Sequence, residues 1–262
     1  MFKPFEQNFK IRIVIGIPSR MGSSRFPGKP LCSILGIPMI EHVYKRCSLA
    51  KENAEVFVAT CDEIIKETVE GFGGKSIMTP ASIERPALRV AEACKSLGLQ
   101  ENDIIAVVQG DEPLIDPTAI SKGVAELAKN SEFFCTNLCS RITKDEWLDK
   151  DEVKVVSNLK GHAIYMSRSP IPSKTIDSSA PLLKQLGVFF FRYKDLLLFQ
   201  SLKRTPLEMS EDIEMLRAIE HGHIVQMVEI KTPCISVDNP KQRDLVVELM
   251  NTDPVWPKYA PC

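Results

Sequence analysis

The feature that most constrains the fold is an alternation of short apolar segments with amphipathic ones in the first half of the chain. The apolar segments are rich in β-branched residues and lack the polar alternation of a surface strand; they are residues 11–17, 55–60 and 103–108. The amphipathic segments carry apolar residues three and four apart; they are residues 39–49, 63–70 and 86–96. This order predicts an α/β fold with a mostly parallel, doubly wound sheet.

The second half of the chain has a different pattern of apolar residues. Strand patterns there are less regularly separated by helices; they are residues 133–142, 153–157, 162–166 and 186–192. A helix over 210–221, a strand over 224–230 and a helix beginning near Pro240 complete the prediction. We expect one domain over 1–262, with a mixed-sheet lobe at about 133–210 that covers the functional site or pairs with another subunit.

The composition narrows the classes of partner. The 33 basic and 34 acidic residues nearly cancel, which gives no indication of a nucleic-acid or membrane partner. No apolar run approaches the roughly 20 residues that span a bilayer, and the first ten residues lack the apolar core of a secretory signal. The eight cysteines include no CxxC pair, which favours free thiols. We therefore expect a cytoplasmic protein.

A loop rich in cations follows the first predicted strand. Residues 18–30 read PSRMGSSRFPGKP, with two arginines, a lysine, hydroxyl side chains and two glycines. Backbone N–H groups and cations in such a loop can surround a polyphosphate, because arginine grips two phosphate oxygens and lysine supplies a compact charge. The loop lacks the GxxxxGK[ST] pattern of a Walker A sequence, since Lys29 precedes Pro30.

Acidic residues follow two other predicted strands. Asp111 and Glu112 lie in QGDEP, directly after residues 103–108, and Asp238 lies in VDNP, before the last predicted helix. Mg²⁺ takes few protein carboxylates and shares its remaining positions with water and phosphate. Because ligands of such sheets bind beyond the carboxyl ends of the strands, we expect the cationic loop and the QGDEP turn to share one site.

These three motifs, in this order, resemble the 3-deoxy-manno-octulosonate (Kdo) cytidylyltransferase family. The resemblance runs from about Ile11 to Leu249 and includes VKVV at 153–156, YMSRSPIP at 165–172 and LGV at 186–188. It implies a Rossmann-like fold of the nucleotide-diphospho-sugar transferase type and a homodimer. The implied reaction joins CMP from CTP to a 2-keto-3-deoxy sugar acid and releases pyrophosphate, with Mg²⁺ as cofactor.

The same resemblance implies roles for individual residues. Nucleotide binding is expected of Pro18, Ser19, Arg20, Ser23, Ser24, Arg25, Lys29, Arg89 and Gln109. Asp111 and Asp238 are expected to bind Mg²⁺ and, with Arg20 and Lys29, to form the catalytic group. The small acidic acceptor is expected to contact Arg168, Gln185, Glu208 and Glu211.

Two departures from the family pattern concern the acceptor. Where the family shows T-R-x-x-H-x-S-G-T-[DE]-R, residues 79–89 read TPASIERPALR, and Gln185 stands where the family generally has histidine. Replacing a cationic donor with a neutral amide changes how a carboxylate or hydroxyl is held. We therefore predict an acceptor other than ordinary Kdo, such as an amino-substituted relative or another small anionic acid.

Three alternatives stay open at the level of sequence. In the first, the chain is a cytidylyltransferase whose acceptor is a non-sugar acid such as a phosphonate. In the second, it is a metal-dependent glycosyltransferase that uses Gly110-Asp111-Glu112. In the third, it binds nucleotides without turnover. The cationic loop argues against a glycosyltransferase, because a triphosphate needs more cationic contacts than a sugar diphosphate. Release of pyrophosphate separates a cytidylyltransferase from a glycosyltransferase and from a binding protein, and a panel of acceptors with CTP reveals a non-sugar acid.

Overall fold

The computed structural model describes residues 11–22, 26–51, 54–173, 180–232 and 234–261. The strands are β1 (Ile13–Pro18), β2 (Ser33–Ile34), β3 (Ile37–Pro38), β4 (Glu55–Thr60), β5 (Ser76–Met78), β6 (Ile104–Val108), β7 (Phe133–Arg141), β8 (Lys154–Ser157), β9 (Ala163–Ser167), β10 (Leu183–Arg192) and β11 (Ile224–Ile230). The helices are α1 (Met39–Ser48), α2 (Glu63–Gly71), α3 (Pro86–Cys94), α4 (Pro117–Lys129), α5 (Lys144–Leu148), α6 (Tyr193–Ser201), α7 (Pro206–Glu211), α8 (Leu216–Glu220) and α9 (Pro240–Met250). Across these ranges, every helix is too short or too polar to cross a bilayer.

One large sheet organises the molecule. Its main path runs β11-β7-β10-β6-β1-β4-β5, and β8 and β9 extend it from β10 as an antiparallel pair. Neighbouring strands from β6 to β5 are parallel, whereas β10 runs antiparallel to both β6 and β7. The predicted fold class, a mostly parallel α/β sheet, is confirmed.

Strand β10 shows how the sheet is covered on both faces. Val188 and Phe190 belong to the apolar cluster that includes α1, α2 and α4, and Phe189 and Phe191 belong to the opposite cluster with α3 and α6. The alternation follows from the two-residue period of a strand. Burial of a phenylalanine side chain contributes about 1.5–3 kcal/mol, so these aromatic residues hold β10 firmly between the two layers.

The helix predicted over 210–221 is wrong. Two shorter helices, α7 and α8, occupy this region, and α7 begins earlier, at Pro206, where the Thr205 N–H donates to Glu208 Oε2 at 3.4 Å. Asp212 ends α7 in the left-handed conformation, with φ 54°. A non-glycine residue in that conformation breaks the helical hydrogen-bond ladder, which turns residues 212–215 toward the carboxyl edge of the sheet.

Candidate functional site

A cleft with two connected chambers opens beyond the carboxyl ends of β1 and β6. The first chamber, about 660 Å³, is lined by residues that include Pro18, Ser19, Arg20, Arg89 and Gly110. The second chamber, about 320 Å³, is lined by residues that include Arg85, Gln185, Gly187, Phe189 and Glu214. The chambers share Lys29, Pro86, Gln109, Asp111, Asp151, Arg168, Asp212 and Asp238. The cationic loop and the QGDEP turn therefore meet in one cleft.

Lys29 lies between two carboxylates at the junction of the chambers. Its Nζ donates to Asp111 Oδ2 at 2.7 Å and to Asp238 Oδ1 at 3.0 Å. All three side chains are largely buried but keep some exposure to the cleft. Burial lowers the pKa of Lys29, but the two carboxylates raise it by more, so the net shift is upward. The ammonium group is therefore charged at neutral pH.

Local backbone structure holds each member of this group. Gly28, in the left-handed conformation with φ 72°, begins a short 3-10 helix over Lys29–Leu31, which fixes the position of Lys29. The Val237 N–H donates to the Asp111 carbonyl at 2.9 Å, which joins the two segments that carry the carboxylates. The Asp238 N–H donates to Gln242 Oε1 at 2.7 Å, in the first turn of α9.

The two aspartates fit a divalent cation. Asp111 Oδ1 is buried and accepts no hydrogen bond from the described residues. A buried acceptor without a donor is unfavourable unless a ligand satisfies it, and a carboxylate oxygen suits Mg²⁺. Nowhere in the described ranges do three His, Cys, Asp or Glu side chains group around a metal position. A cation bound here would complete its shell with water and phosphate, as Mg²⁺ does.

Glu112 does not join Asp111 as a second acidic ligand. Its carboxylate is buried and accepts hydrogen bonds from Cys234 Sγ at 2.9 Å and Ser236 Oγ at 2.6 Å. Burial, with the neighbouring Asp111 charge, raises the pKa of Glu112 to about 7. Glu112 therefore fastens segment 234–236 beneath the cleft and supports the placement of Asp238.

The cationic loop is placed only in part. Arg20 is exposed on the wall of the first chamber, and Ser19 is buried beside it, with an Oγ that lacks a partner among the described residues. The predicted nucleotide-binding residues Ser23, Ser24 and Arg25 lie outside the described residues. Among the described residues of the loop, Lys29 and Arg20 are the cations that line the cleft.

Arg89 and Gln109 line the cleft from two other elements. Arg89, in α3, is 2% exposed and donates from Nη1 to Thr79 Oγ1 at 2.6 Å and from Nη2 to the Ile83 carbonyl. It thereby shapes the loop between β5 and α3. The Gln109 N–H donates to the Gly187 carbonyl at 2.9 Å. A Cβ atom on Gly187 would lie 2.8 Å from Gln109 Cδ, so the glycine permits this side-chain position.

Arg168, on the wall of both chambers, is fixed by hydrogen bonds to Glu211. Glu211 accepts from Tyr165 Oη at 2.9 Å, from Ser167 Oγ at 2.8 Å and from the Arg168 N–H at 2.9 Å. Burial raises the pKa of Glu211, but these hydrogen bonds lower it by more, so it stays ionised. Arg168 lines both chambers, whereas Glu211 lines neither and fixes Arg168 from outside the cleft.

The other two predicted acceptor residues differ in position. Gln185 lines the second chamber, where β10 departs from regular pairing with β7 between Gln185 and Phe189. Glu208 is fully buried and lines neither chamber. Its carboxylate accepts from Arg217 Nε at 2.8 Å and Nη2 at 2.5 Å, an ion pair that joins α7 to α8. The structure therefore gives Glu208 a supporting position rather than contact with the cleft.

Glu214 is a cleft residue that sequence reasoning missed. It is 8% exposed, its Oε2 accepts from the Ala87 N–H at 3.3 Å, and its Oε1 has no partner in the described ranges. Burial raises the pKa of Glu214 to about 7. The hydrogen bond from Ala87 and the charges of nearby arginines lower this pKa by a smaller amount. The sequence does show a glutamate at every third position, at 208, 211 and 214. The prediction of one continuous helix over 210–221 gave no reason to place Glu214 in the cleft.

Comparisons with known proteins agree with this geometry. The Cytidylyltransferase family matches residues 13–230. The 8-amino-3,8-dideoxy-manno-octulosonate cytidylyltransferase of Shewanella sp. (strain W3-18-1) is 42% identical over 233 residues, which is 88% of this chain and 95% of that protein. The protein of the same name from Shewanella piezotolerans has the same identity and coverage.

Solved structures show the same likeness. A CMP:2-keto-3-deoxy-manno-octonic acid synthetase in complex with CTP has a TM-score of 0.85 and 36% identity, and the match covers 92% of this chain and 98% of that one. A cytidylyltransferase from Leptospira borgpetersenii, 17% identical with a TM-score of 0.63, shares the fold over 92% of this chain and 87% of its own. The chain therefore belongs to the cytidylyltransferase family.

Proposed function

We propose that the protein transfers CMP from CTP to a 2-keto-3-deoxy sugar acid and releases pyrophosphate. The observation that carries this proposal is the contact of Lys29 with Asp111 and Asp238 at the junction of two chambers. A lysine, an arginine-bearing loop and two carboxylates suit a triphosphate and its metal ion. The CTP complex of the 36% identical synthetase and the names of the Shewanella relatives support the same reaction.

In this proposal the first chamber binds the triphosphate. Arg20 and Lys29 neutralise phosphate oxygens, and Gln109 contacts the nucleotide. Asp111 and Asp238 hold Mg²⁺, which when bound supplies further charge neutralisation and lowers the pKa of a hydroxyl that it contacts. The acceptor hydroxyl oxygen then bonds to the α-phosphorus and gives up its proton to solvent. The bond between the α-phosphorus and the α–β bridging oxygen breaks, and pyrophosphate leaves. Nucleotidyl transfer of this kind depends mainly on positioning and charge.

The second chamber suits an acceptor that carries several kinds of polar group. Arg168 offers a cation for a carboxylate, and the carboxylates of Asp212 and Glu214 offer acceptors for hydroxyl or ammonium groups. The Shewanella relatives are named for an acceptor with an amino group at carbon 8. We therefore propose 8-amino-3,8-dideoxy-manno-octulosonate as the preferred acceptor and Kdo as the weaker one.

The proposal includes a homodimer in the cytoplasm, where CTP is available. Leu148 in α5, Leu159 in the β8–β9 turn and Ile164 in β9 are 54%, 108% and 58% exposed. These exposed apolar side chains support the predicted dimerisation role of the 133–210 lobe, because their burial in an interface removes apolar surface from water. Light scattering of the purified chain gives the mass, and a monomer at micromolar concentration contradicts this part of the proposal.

Pyrophosphate release tests the reaction and its acceptor together. We expect release from CTP that requires both Mg²⁺ and acceptor, with a higher kcat/KM for the 8-amino acid than for Kdo. Asp111→Asn should abolish this release, whereas Asp116→Asn, which alters the cap of α4, should retain it. Release of a nucleoside phosphate, or no release with any acid, contradicts the reaction; equal or better use of Kdo contradicts the acceptor.

A further inference from the structure

Lys154 is a buried cation held by main-chain oxygens. It lies in β8 with no exposed surface, and its Nζ donates to the carbonyls of Asp149, Glu152 and Arg168. An ammonium group has three donors, so these carbonyls use all of them. A buried charge is costly unless its hydrogen bonds are satisfied, and a neutral side chain would avoid that cost. The contacts of Lys154 therefore indicate that its charge serves to hold these three carbonyls in place.

The carbonyls that Lys154 leaves free in the same loop are taken by Arg168. Arg168 Nη1 donates to the Lys150 carbonyl at 3.4 Å and the Asp151 carbonyl at 3.3 Å. All four consecutive carbonyls of residues 149–152, which we call the carbonyl loop, thus point at two cations. The side chain of Asp151, within this loop, lines both chambers. Lys154 and Arg168 together set the shape of this part of the cleft.

Both the main chain and the side chain of Arg168 are held by these contacts. Its own carbonyl accepts from Lys154, and its N–H donates to Glu211, so the main chain is fixed on both sides. Every hydrogen bond that its guanidinium makes to the described residues goes to a carbonyl, including Nε to Glu211 O at 3.1 Å. Neutral carbonyls orient the guanidinium, although the ionised Glu211 carboxylate also interacts with its charge. Nη2 donates to none of the described residues and stays available to an anion in the cleft.

We propose that Lys154 is a positioning residue for acceptor recognition: through the carbonyl loop and the Arg168 carbonyl, it aims the Arg168 guanidinium at the carboxylate of the acceptor. This rests on the proposed function, because it assumes an acidic acceptor beside Arg168. Lys154 itself is fully buried and lines neither chamber, so its effect is transmitted through Arg168. The nucleotide contacts at Lys29 and Gln109 lie outside this network.

The test compares Lys154→Met with Arg192→Met. Arg192 is also a largely buried cation that donates to main-chain carbonyls, those of Leu127, Asn130 and Phe133, but it lines neither chamber. We expect Lys154→Met to raise KM for the acceptor about tenfold or more and to change KM for CTP less than twofold. Arg192→Met should lower the melting temperature without this selective change.

Lys154→Gln, which keeps two donors, provides the same comparison if Lys154→Met does not fold. The acceptor's dissociation constant is measured by calorimetry with CTP present and Mg²⁺ absent, so this readout does not require turnover. A wild-type chain that binds the acceptor but releases no pyrophosphate contradicts the proposed function alone. An unchanged acceptor affinity in the Lys154 variants, equal losses for acceptor and CTP, or the same selective loss in Arg192→Met overturns the role of Lys154.

Discussion

At the scale of single residues, the chemistry depends on charges that are buried yet face the cleft. Lys29 keeps its proton because Asp111 and Asp238 outweigh the effect of burial. The sequence indicated these three residues through their motifs. It did not indicate Glu214, because its role depends on where the chain turns at Asp212 rather than on a motif.

Lys29→Met should reduce kcat for pyrophosphate release by about 10²–10³-fold, the usual cost of removing one preorganised charge from a transition state. Lys29→Arg should restore little of this, because a planar guanidinium does not reproduce a compact ammonium between two carboxylates. Lys95→Met, which removes an exposed lysine paired with Glu92, is the matched control and should leave kcat unchanged. Steady-state kinetics with near-normal kcat in Lys29→Met contradict this role.

Glu214 should make stability depend on pH. Its pKa in the fold is about 7 and lies above the ordinary value of 4.5, so the folded protein binds more protons between these values. The contribution of Glu214 is therefore full below pH 4.5 and is lost as the pH rises to 7, at about 1.4 kcal/mol for each pKa unit. Glu214→Gln should flatten the fall in melting temperature between pH 5 and pH 8.

The control for this measurement is Glu126→Gln, which alters a glutamate on α4 paired with Lys129 at the surface. Its melting temperatures should follow the wild-type slope. Glu112 contributes its own slope equally to all three proteins, since its pKa is also raised to about 7. Parallel slopes for Glu214→Gln and the wild type show that Glu214 does not titrate in this range.

At the scale of elements, both strands and helices of the first half were predictable, and α1, α2 and α3 lie within two residues of their predicted bounds. The strands β4, β6, β7 and β11 lie within two residues of their predicted bounds, because their apolar runs are long and unambiguous. Helix α4 was not predicted, and Gly123 lies in its middle. That glycine faces Phe190: a Cβ atom there would lie 2.1 Å from the ring. Such a tertiary reason cannot be derived from local spacing.

The irregular part of β10 carries a second element-scale prediction. Gly187→Ala should displace the Gln109 side chain, because the new Cβ would lie 2.8 Å from Gln109 Cδ. We expect a rise of about tenfold in KM for CTP with a smaller change in melting temperature. Gly71→Ala, at the end of α2 with open space around its Cα, is the control. If CTP binds both variants equally well, Gly187 does not position Gln109.

At the scale of the whole molecule, the fold brings distant parts of the chain to one point. Lys29 follows β1, Asp111 follows β6 and Asp238 precedes α9, so the site forms only when the sheet and the last helix are assembled. The doubly wound topology made the meeting of the first two segments predictable, because both leave the same edge of the sheet. The position of Asp238 was predictable only from its motif, since long-range packing of α9 decides it.

A double-mutant cycle on the two aspartates tests this convergence most directly. We expect Asp111→Asn and Asp238→Asn each to remove the Mg²⁺-dependent part of CTP binding, measured by calorimetry with and without Mg²⁺. The double variant should then lose no more than either single variant, because both carboxylates serve one metal ion. Independent, additive losses, or Mg²⁺-dependent binding that survives in either single variant, contradict a shared triphosphate site.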